Sequence, residues 1–154
     1  MWRTAGPGDE SAIIEICLAL NAEDPGLPSV PVEHIKRTLA ELRANPMRGK
    51  ALVLELDGRI EGYAFLISFW SNEYGGEICN IDEIYVRPAQ RKKGYGETLI
   101  KSLLKPNSLW PRQPVLIELE VSPENERART FYEKLGFKPV ANTHMQFCFD
   151  GKQC

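Results

Sequence analysis

Ile81-Asp-Glu-Ile-Tyr-Val-Arg-Pro-Ala-Gln-Arg-Lys-Lys-Gly-Tyr-Gly-Glu-Thr-Leu-Ile100 is the stretch that decides the reading of this chain. A strand at Ile78–Val86 runs into a basic, glycine-containing loop, and the loop runs into a helix at Gly94–Lys105. Gly94 and Gly96 let the backbone turn tightly and approach a ligand closely. The first amides of the helix have no partner within it, and the helix dipole favours an anion there. Arg87, Arg91, Lys92 and Lys93 put positive charge at the same end. This combination suits a pyrophosphate, although the glycines by themselves would equally suit a solvated turn. Two other phosphate loops are excluded. Gly96 is followed by Glu97-Thr98 rather than the Lys-Ser/Thr of a Walker loop. Leu99 stands where the dinucleotide fingerprint needs its third glycine, and a basic lead-in separates the strand from the turn.

Working outward, Trp2–Ala5 reads as a short strand, and Asp9 can cap a helix carrying Ile13, Ile16, Cys17 and Leu20. Pro31 can open a second helix with Val32, Ile35, Leu39 and Leu42 on one face, ended by Asn45-Pro46. Ala51–Leu56 and Ile60–Ser68 read as strands joined by Asp57-Gly58, a strong hairpin signal. Ser71–Gly76 is a second turn. Val115–Val121 alternates as a strand, and Ser122-Pro123 starts a helix that runs to Leu135 and stops at Gly136. Phe137–Val140 and His144–Phe149 are expected to close the chain as strands. The order predicts an α/β (α+β mixed-sheet) fold with helices packed on the sheet.

The chain has 154 residues, a net charge of −2, 43% hydrophobic and 26% charged residues. One domain spanning 1–154 is expected, with a core large enough to need no disulfide or metal staple. The near-neutral balance argues against a general nucleic-acid binder, and no apolar run approaches the ~18 residues that span a bilayer. The start has no apolar signal-peptide core, so a cytoplasmic location is expected. The cysteines at 17, 79, 148 and 154 form no Cys-x-x-Cys, and the only histidines are His34 and His144, so no metal site is expected. Cys17, Cys79 and Cys148 read as small buried hydrophobes, and Cys154 as an exposed thiol.

Arg91-Lys-Lys-Gly94-Tyr-Gly96 resembles the Arg/Gln-x-x-Gly-x-Gly/Ala signature of the GNAT superfamily, the acetyl-CoA-dependent N-acyltransferases. Ile84-Tyr-Val-Arg-Pro resembles the end of that family's fourth strand. Asn125-Glu-Arg-Ala-Arg-Thr-Phe131-Tyr132-Glu-Lys-Leu-Gly-Phe137 resembles its second hallmark. Lys92 departs from the glycine that many members carry, at a position the signature leaves open. The resemblance covers essentially the whole chain and implies a GNAT-like fold of about seven strands with four helices. It implies acetyl-CoA as cosubstrate. Backbone groups of Ile84, Tyr85 and Val86 would bond the pantetheine arm, and Arg91, Lys92, Lys93, Gly94, Tyr95 and Gly96 would cradle the pyrophosphate. Asn125 would contact the cofactor arm, and Tyr132 would act as general acid beside the sulfur. A bulge that splays the fourth strand from the fifth is also implied.

An alkylamine has a pKa near ~10 and arrives protonated, so a carboxylate must take a proton before nitrogen attacks the thioester. Asp82 and Glu83 are adjacent on one strand, and regular alternation would aim them at opposite faces. Similar polyamine-acetylating members carry an acidic pair here, and the first is usually considered the base. That favours Asp82 over Glu83, with Glu118 or Glu120 as remote alternatives. Tyr132 also lies on the apolar stripe of its helix, where plain core packing would account for it. Acceptor readers are expected among Glu23, Asp24, Trp70, Asn72, Glu73 and Tyr74, where carboxylates and aromatics would suit a cationic amine. Trp70 and Tyr74 could equally cap a hairpin. The leading expectation is acetyl transfer to a small-molecule primary amine, with a possible homodimer and no nucleic-acid or membrane partner. A peptide N-terminus, a lysine side chain, or a non-catalytic acyl-CoA-binding module are the alternatives.

Overall fold

The computed structural model describes residues 1–23, 29–145 and 147. It forms two compact units, Met1–Glu124 and Asn125–Cys154. The first holds a five-stranded sheet in the order β1-β2-β3-β4-β5. The strands are β1 (Trp2–Thr4), β2 (Gly49–Leu56), β3 (Arg59–Ser71), β4 (Gly76–Val86) and β5 (Leu116–Leu119). All neighbours are antiparallel except β4 and β5, which run parallel. The Asp57-Gly58 turn joins β2 to β3 as its residue types require: Asp57 has φ 49° and Gly58 φ 73°.

Three helices belong to this unit: α1 (Glu10–Glu23), α2 (Val32–Ala44) and α3 (Tyr95–Ser102). Ile13, Ile16 and Cys17 of α1 and Ile35, Leu39 and Leu42 of α2 bury themselves against Ala51, Val53, Tyr63, Phe65 and Tyr85 of the sheet. The alternate residues Leu52, Leu54, Ala64 and Leu66 point to the other face and are also buried, as are Leu99, Ile100 and Leu103 at the α3 end. Full burial of each such aliphatic side chain is worth about 1.5–3 kcal/mol. Asp9 does not cap α1 directly. A short 3-10 turn, Pro7–Asp9, precedes the helix, and Asp9 accepts from the Gly6 N–H at 2.7 Å while pairing with Arg3 at 2.7 Å.

The second unit holds α4 (Glu126–Lys134). The expected strand at Phe137–Val140 does not form among the described residues. Pro139 has no ladder donor, and a strand needs a paired neighbour. His144, Met145 and Phe147 are also outside any strand, and the rest of that expected strand, with Cys148 and Cys154, lies outside the described residues. Among the described residues the sheet therefore has five strands rather than about seven, while the four α-helices there agree with expectation. Among the described residues no helix is long and apolar enough to cross a membrane.

Candidate active site

The central irregularity is in β4. Phe65 lies opposite Glu83 and Leu66 opposite Ile81, so Asp82 has no partner on β3. It is the extra residue of a β-bulge. The alternation that would send Asp82 and Glu83 to opposite faces is interrupted here, and both carboxylates stand against the single residue Phe65. The pairing of β4 with β5 runs only from Ile78↔Leu116 to Ile81↔Leu119. Beyond the bulge β4 continues to Val86 and, among the described residues, pairs with β3 alone, so its other edge has no strand partner there.

The two carboxylates have different surroundings. Asp82 is exposed, yet lost hydration and the Glu120 charge raise its carboxyl above the usual range. Glu83 is half-buried and accepts a hydrogen bond from the Tyr63 hydroxyl at 2.6 Å. Burial raises Glu83, the Tyr63 bond opposes that rise, and the Asp82 charge adds to it. Tyr63 is fully buried and keeps its proton. The adjoining Cys17 thiol is pushed up to about 12, first by burial. Tyr63 is a site residue that sequence reasoning missed. Its signal was a tyrosine on the inward face of a strand, where a hydroxyl needs a polar partner.

The open edge can be read from the register. The Arg87 N–H donates to the Glu61 carbonyl at 2.9 Å, which makes Val86↔Gly62 a wide pair and Tyr85↔Tyr63 the bonded one. The N–H and C=O of Ile84 and Val86 therefore face the opening, whereas those of Tyr85 face β3. The expectation that Tyr85 offers its backbone at this edge is corrected by that register. At Gly62 a Cβ would stand 2.6 Å from the Tyr85 carbonyl oxygen, so glycine permits the close approach of β3 to β4.

A 3-10 turn at Pro88–Gln90 leads from β4 into the basic loop. Lys92 has φ 61° and Gly94 φ 82°. A Cβ at Gly94 would meet nothing within 4 Å, so the residue serves backbone conformation rather than room. Its carbonyl accepts from the Thr98 N–H at 2.9 Å and starts α3. The amides of Tyr95 and Gly96 fall in the first turn, where they have no helical acceptor. The Trp2 indole donates to the Tyr95 carbonyl at 2.9 Å and ties β1 to this turn. Lys92 and Lys93 are exposed, and Lys93 Nζ reaches Gln90 Oε1 at 2.7 Å. The Arg91 side chain instead turns back toward Val86, Tyr85 and Glu23.

Glu23 is thus joined to the basic loop. Trp70, Asn72, Glu73 and Tyr74 lie at the β3–β4 hairpin tip, with Trp70 opposite Glu77 and 72% exposed. At about 3.3 Å per residue, Glu77 to Asp82 spans roughly 16 Å of strand. The structure does not bring these four residues to the carboxylates. Asp24 lies outside the described residues.

In the second unit, Asn125 caps α4: its Oδ1 accepts from the Ala128 N–H at 3.1 Å. The Tyr132 ring packs edge-on against Phe131 and Phe137, with centroids 5.1 and 5.6 Å away. Burial pushes its hydroxyl up to about 12. Gly136, at φ 95°, ends the helix, and the Phe137 N–H returns to the Tyr132 carbonyl at 3.1 Å.

The sequence profile of the acetyltransferase (GNAT) domain matches residues 48–139. An uncharacterized N-acetyltransferase of Mycobacterium tuberculosis is 30% identical over 120 residues, covering 72% of each chain. An uncharacterized N-acetyltransferase of Methanocaldococcus jannaschii is 34% identical over 87 residues, which is 56% of this chain and only 38% of that relative. Among solved structures, a predicted acetyltransferase with acetyl-CoA from Clostridium acetobutylicum superposes with a TM-score of 0.77 at 20% identity, over 96% of this chain and 95% of that one.

Proposed function

The chain belongs to the GNAT family of acetyltransferases, and from that premise we propose that it moves the acetyl group of acetyl-CoA directly to the primary amine of a small cationic acceptor. Residues 1–154 are read as one N-acetyltransferase domain. The observation that carries this reading is the parting of β4 from β5 at the Asp82 bulge. Past it, the Ile84 backbone and the Val86 N–H face the unpaired edge of β4, while the Val86 carbonyl accepts from Arg91 of the basic loop. Such an edge fits an amide-bearing arm, and the first-turn amides of α3 with Lys92 and Lys93 fit a pyrophosphate. The solved acetyltransferase with acetyl-CoA has the same fold, which supports the choice of cosubstrate.

Acetyl-CoA supplies a thioester whose carbon accepts the amine nitrogen and whose sulfur departs as thiolate. Asp82 takes the proton of the incoming ammonium. Its raised proton affinity suits that exchange better than that of an ordinary aspartate. Glu83, engaged by Tyr63, is the secondary candidate. The Val86 N–H faces the opening and can donate to the developing oxyanion. The family resemblance assigns Tyr132, whose hydroxyl keeps its proton through the neutral range, as donor to the leaving thiolate and Asn125 as a contact of the cofactor arm.

Thiol release from acetyl-CoA across a panel of polyamines, aminoglycosides and lysine peptides tests the reading. Turnover fastest with small polyamines or aminoglycosides is expected. Preference for a peptide would move the acceptor class. Binding of acetyl-CoA without turnover on any amine would replace the enzyme by a binding module.

A further inference from the structure

Glu23 and Arg91 are separated by most of the first unit's sequence, yet they form one cluster. Arg91 Nη2 lies 2.7 Å from Glu23 Oε2. The Tyr85 hydroxyl donates to the other Glu23 oxygen. Arg91 Nε donates to the Val86 carbonyl at 2.7 Å, and the guanidinium carbon stands 4.9 Å from the centre of the Tyr85 ring. The arginine is therefore held from three sides: by the last residue of α1, by the β4 backbone and by an aromatic face. The Arg91 and Glu23 side chains are only 22% and 34% exposed. Burial and the adjacent Glu23 carboxylate both keep the Tyr85 hydroxyl in its neutral, donating form.

The next residue shows what this cluster restrains. Lys92 is held at φ 61°, a left-handed conformation that a non-glycine residue keeps only where its neighbours over-determine it. The anchored Arg91 side chain fixes one end of that residue, and the Gly94 turn into α3 fixes the other.

We propose that Glu23 is a positioning residue: with Tyr85 it clamps the Arg91 side chain against β4 and so holds the 92–96 backbone in the shape that receives the acetyl-CoA pyrophosphate. The inference rests on the acetyl-CoA reading above. Arg91 then braces the loop through the Val86 carbonyl at the edge of the opening, and the anion is met by backbone amides and the two lysines. A loop already shaped for its ligand avoids an ordering cost on binding, which is why loss of the clamp appears as lost affinity.

Calorimetric titration of the full chain with acetyl-CoA tests this in the unaltered protein, Glu23→Gln, Arg91→Met and the double variant. Each single change should weaken binding about tenfold, and the double variant should lose no more than the worse single. In the amine assay the KM for acetyl-CoA should rise while kcat at saturation stays within twofold. The salt dependence of affinity should keep its slope in Arg91→Met, because that guanidinium neutralises no phosphate. Tyr85→Phe, which removes one hydroxyl and keeps the ring, should lose about two- to threefold and serves if a charge variant fails to fold.

Tighter binding by Glu23→Gln would overturn the proposal, since it would make Arg91 a direct pyrophosphate ligand from which Glu23 competes. So would a flatter salt slope in Arg91→Met, losses that multiply in the double variant, or unchanged affinity in Tyr85→Phe and Glu23→Gln alike. An unaltered chain that binds no acetyl-CoA would remove the cosubstrate reading and the clamp with it; one that binds and turns over while the variants match it would remove the clamp alone.

Discussion

Asp82 draws its candidate role from one unpaired position, because the bulge exposes a carboxylate while Glu120 and lost hydration make it hold a proton more firmly. An ordinary aspartate titrates near ~3.9. With a raised value, Asp82 stays protonated, and useless as a base, to higher pH, so activity should rise with pH through a limb above that reference. Glu120→Gln removes one source of repulsion and should move the limb to lower pH. Asp82→Asn should depress the acid side most, because at high pH the amine is already neutral. Parallel pH–rate profiles with the best amine check both, and an effect confined to Glu83→Gln would transfer the base to Glu83. Tyr132→Phe should lower kcat by up to about 10²-fold, since water can partly replace a single proton donor. The ring contacts with Phe131 and Phe137 survive that change, so the melting temperature should hold. Full activity in Tyr132→Phe would return the residue to core packing.

Elements differ in how plainly they announce themselves. Gly94 combines a required left-handed φ with open space around its Cβ position, so Gly94→Ala isolates backbone conformation. It should cost about 1–2 kcal/mol in urea unfolding, the price of a left-handed alanine. The Asp57-Gly58 hairpin and the helix after Gly94 could be read from residue types because their local chemistry and tertiary place agree. The bulge at Asp82 could not be read from residue types alone. No glycine or proline marks it, and its existence depends on register against Phe65, a long-range relation that the family resemblance implied but no local spacing encodes. The Arg91–Glu23 ion pair is equally illegible in the sequence: charge beside a phosphate-type loop does not reveal a carboxylate 68 positions away that pairs with it. Composition alone groups the hairpin-tip aromatics with the acceptor site, and the register places them at the far end of β4 from the bulge. Trp110, 1% exposed and bonded through its indole to Glu77 at 2.8 Å, is a core residue in a segment with no periodicity to betray it.

For the molecule as a whole, Cys17 and Cys79 provide an internal test of integrity. Both are buried, and burial raises both thiols to about 12. The reactive species is the thiolate, so neither should be alkylated at pH 8 in the folded chain. Mass-spectrometric mapping after iodoacetamide treatment should find them modified only once denaturant is added; labelling of either in the native protein would show that its surroundings open locally. The bond between the Trp2 indole and the Tyr95 carbonyl carries an optical consequence. Trp110 is bonded to Glu77 near the start of β4, and Trp70 stands opposite the same residue at the β3–β4 hairpin end, whereas the Trp2 ring nitrogen is fixed to the first residue of α3. Filling the cradle should therefore alter the emission of a single indole, giving a label-free titration signal that Trp2→Phe abolishes and Trp70→Phe leaves intact.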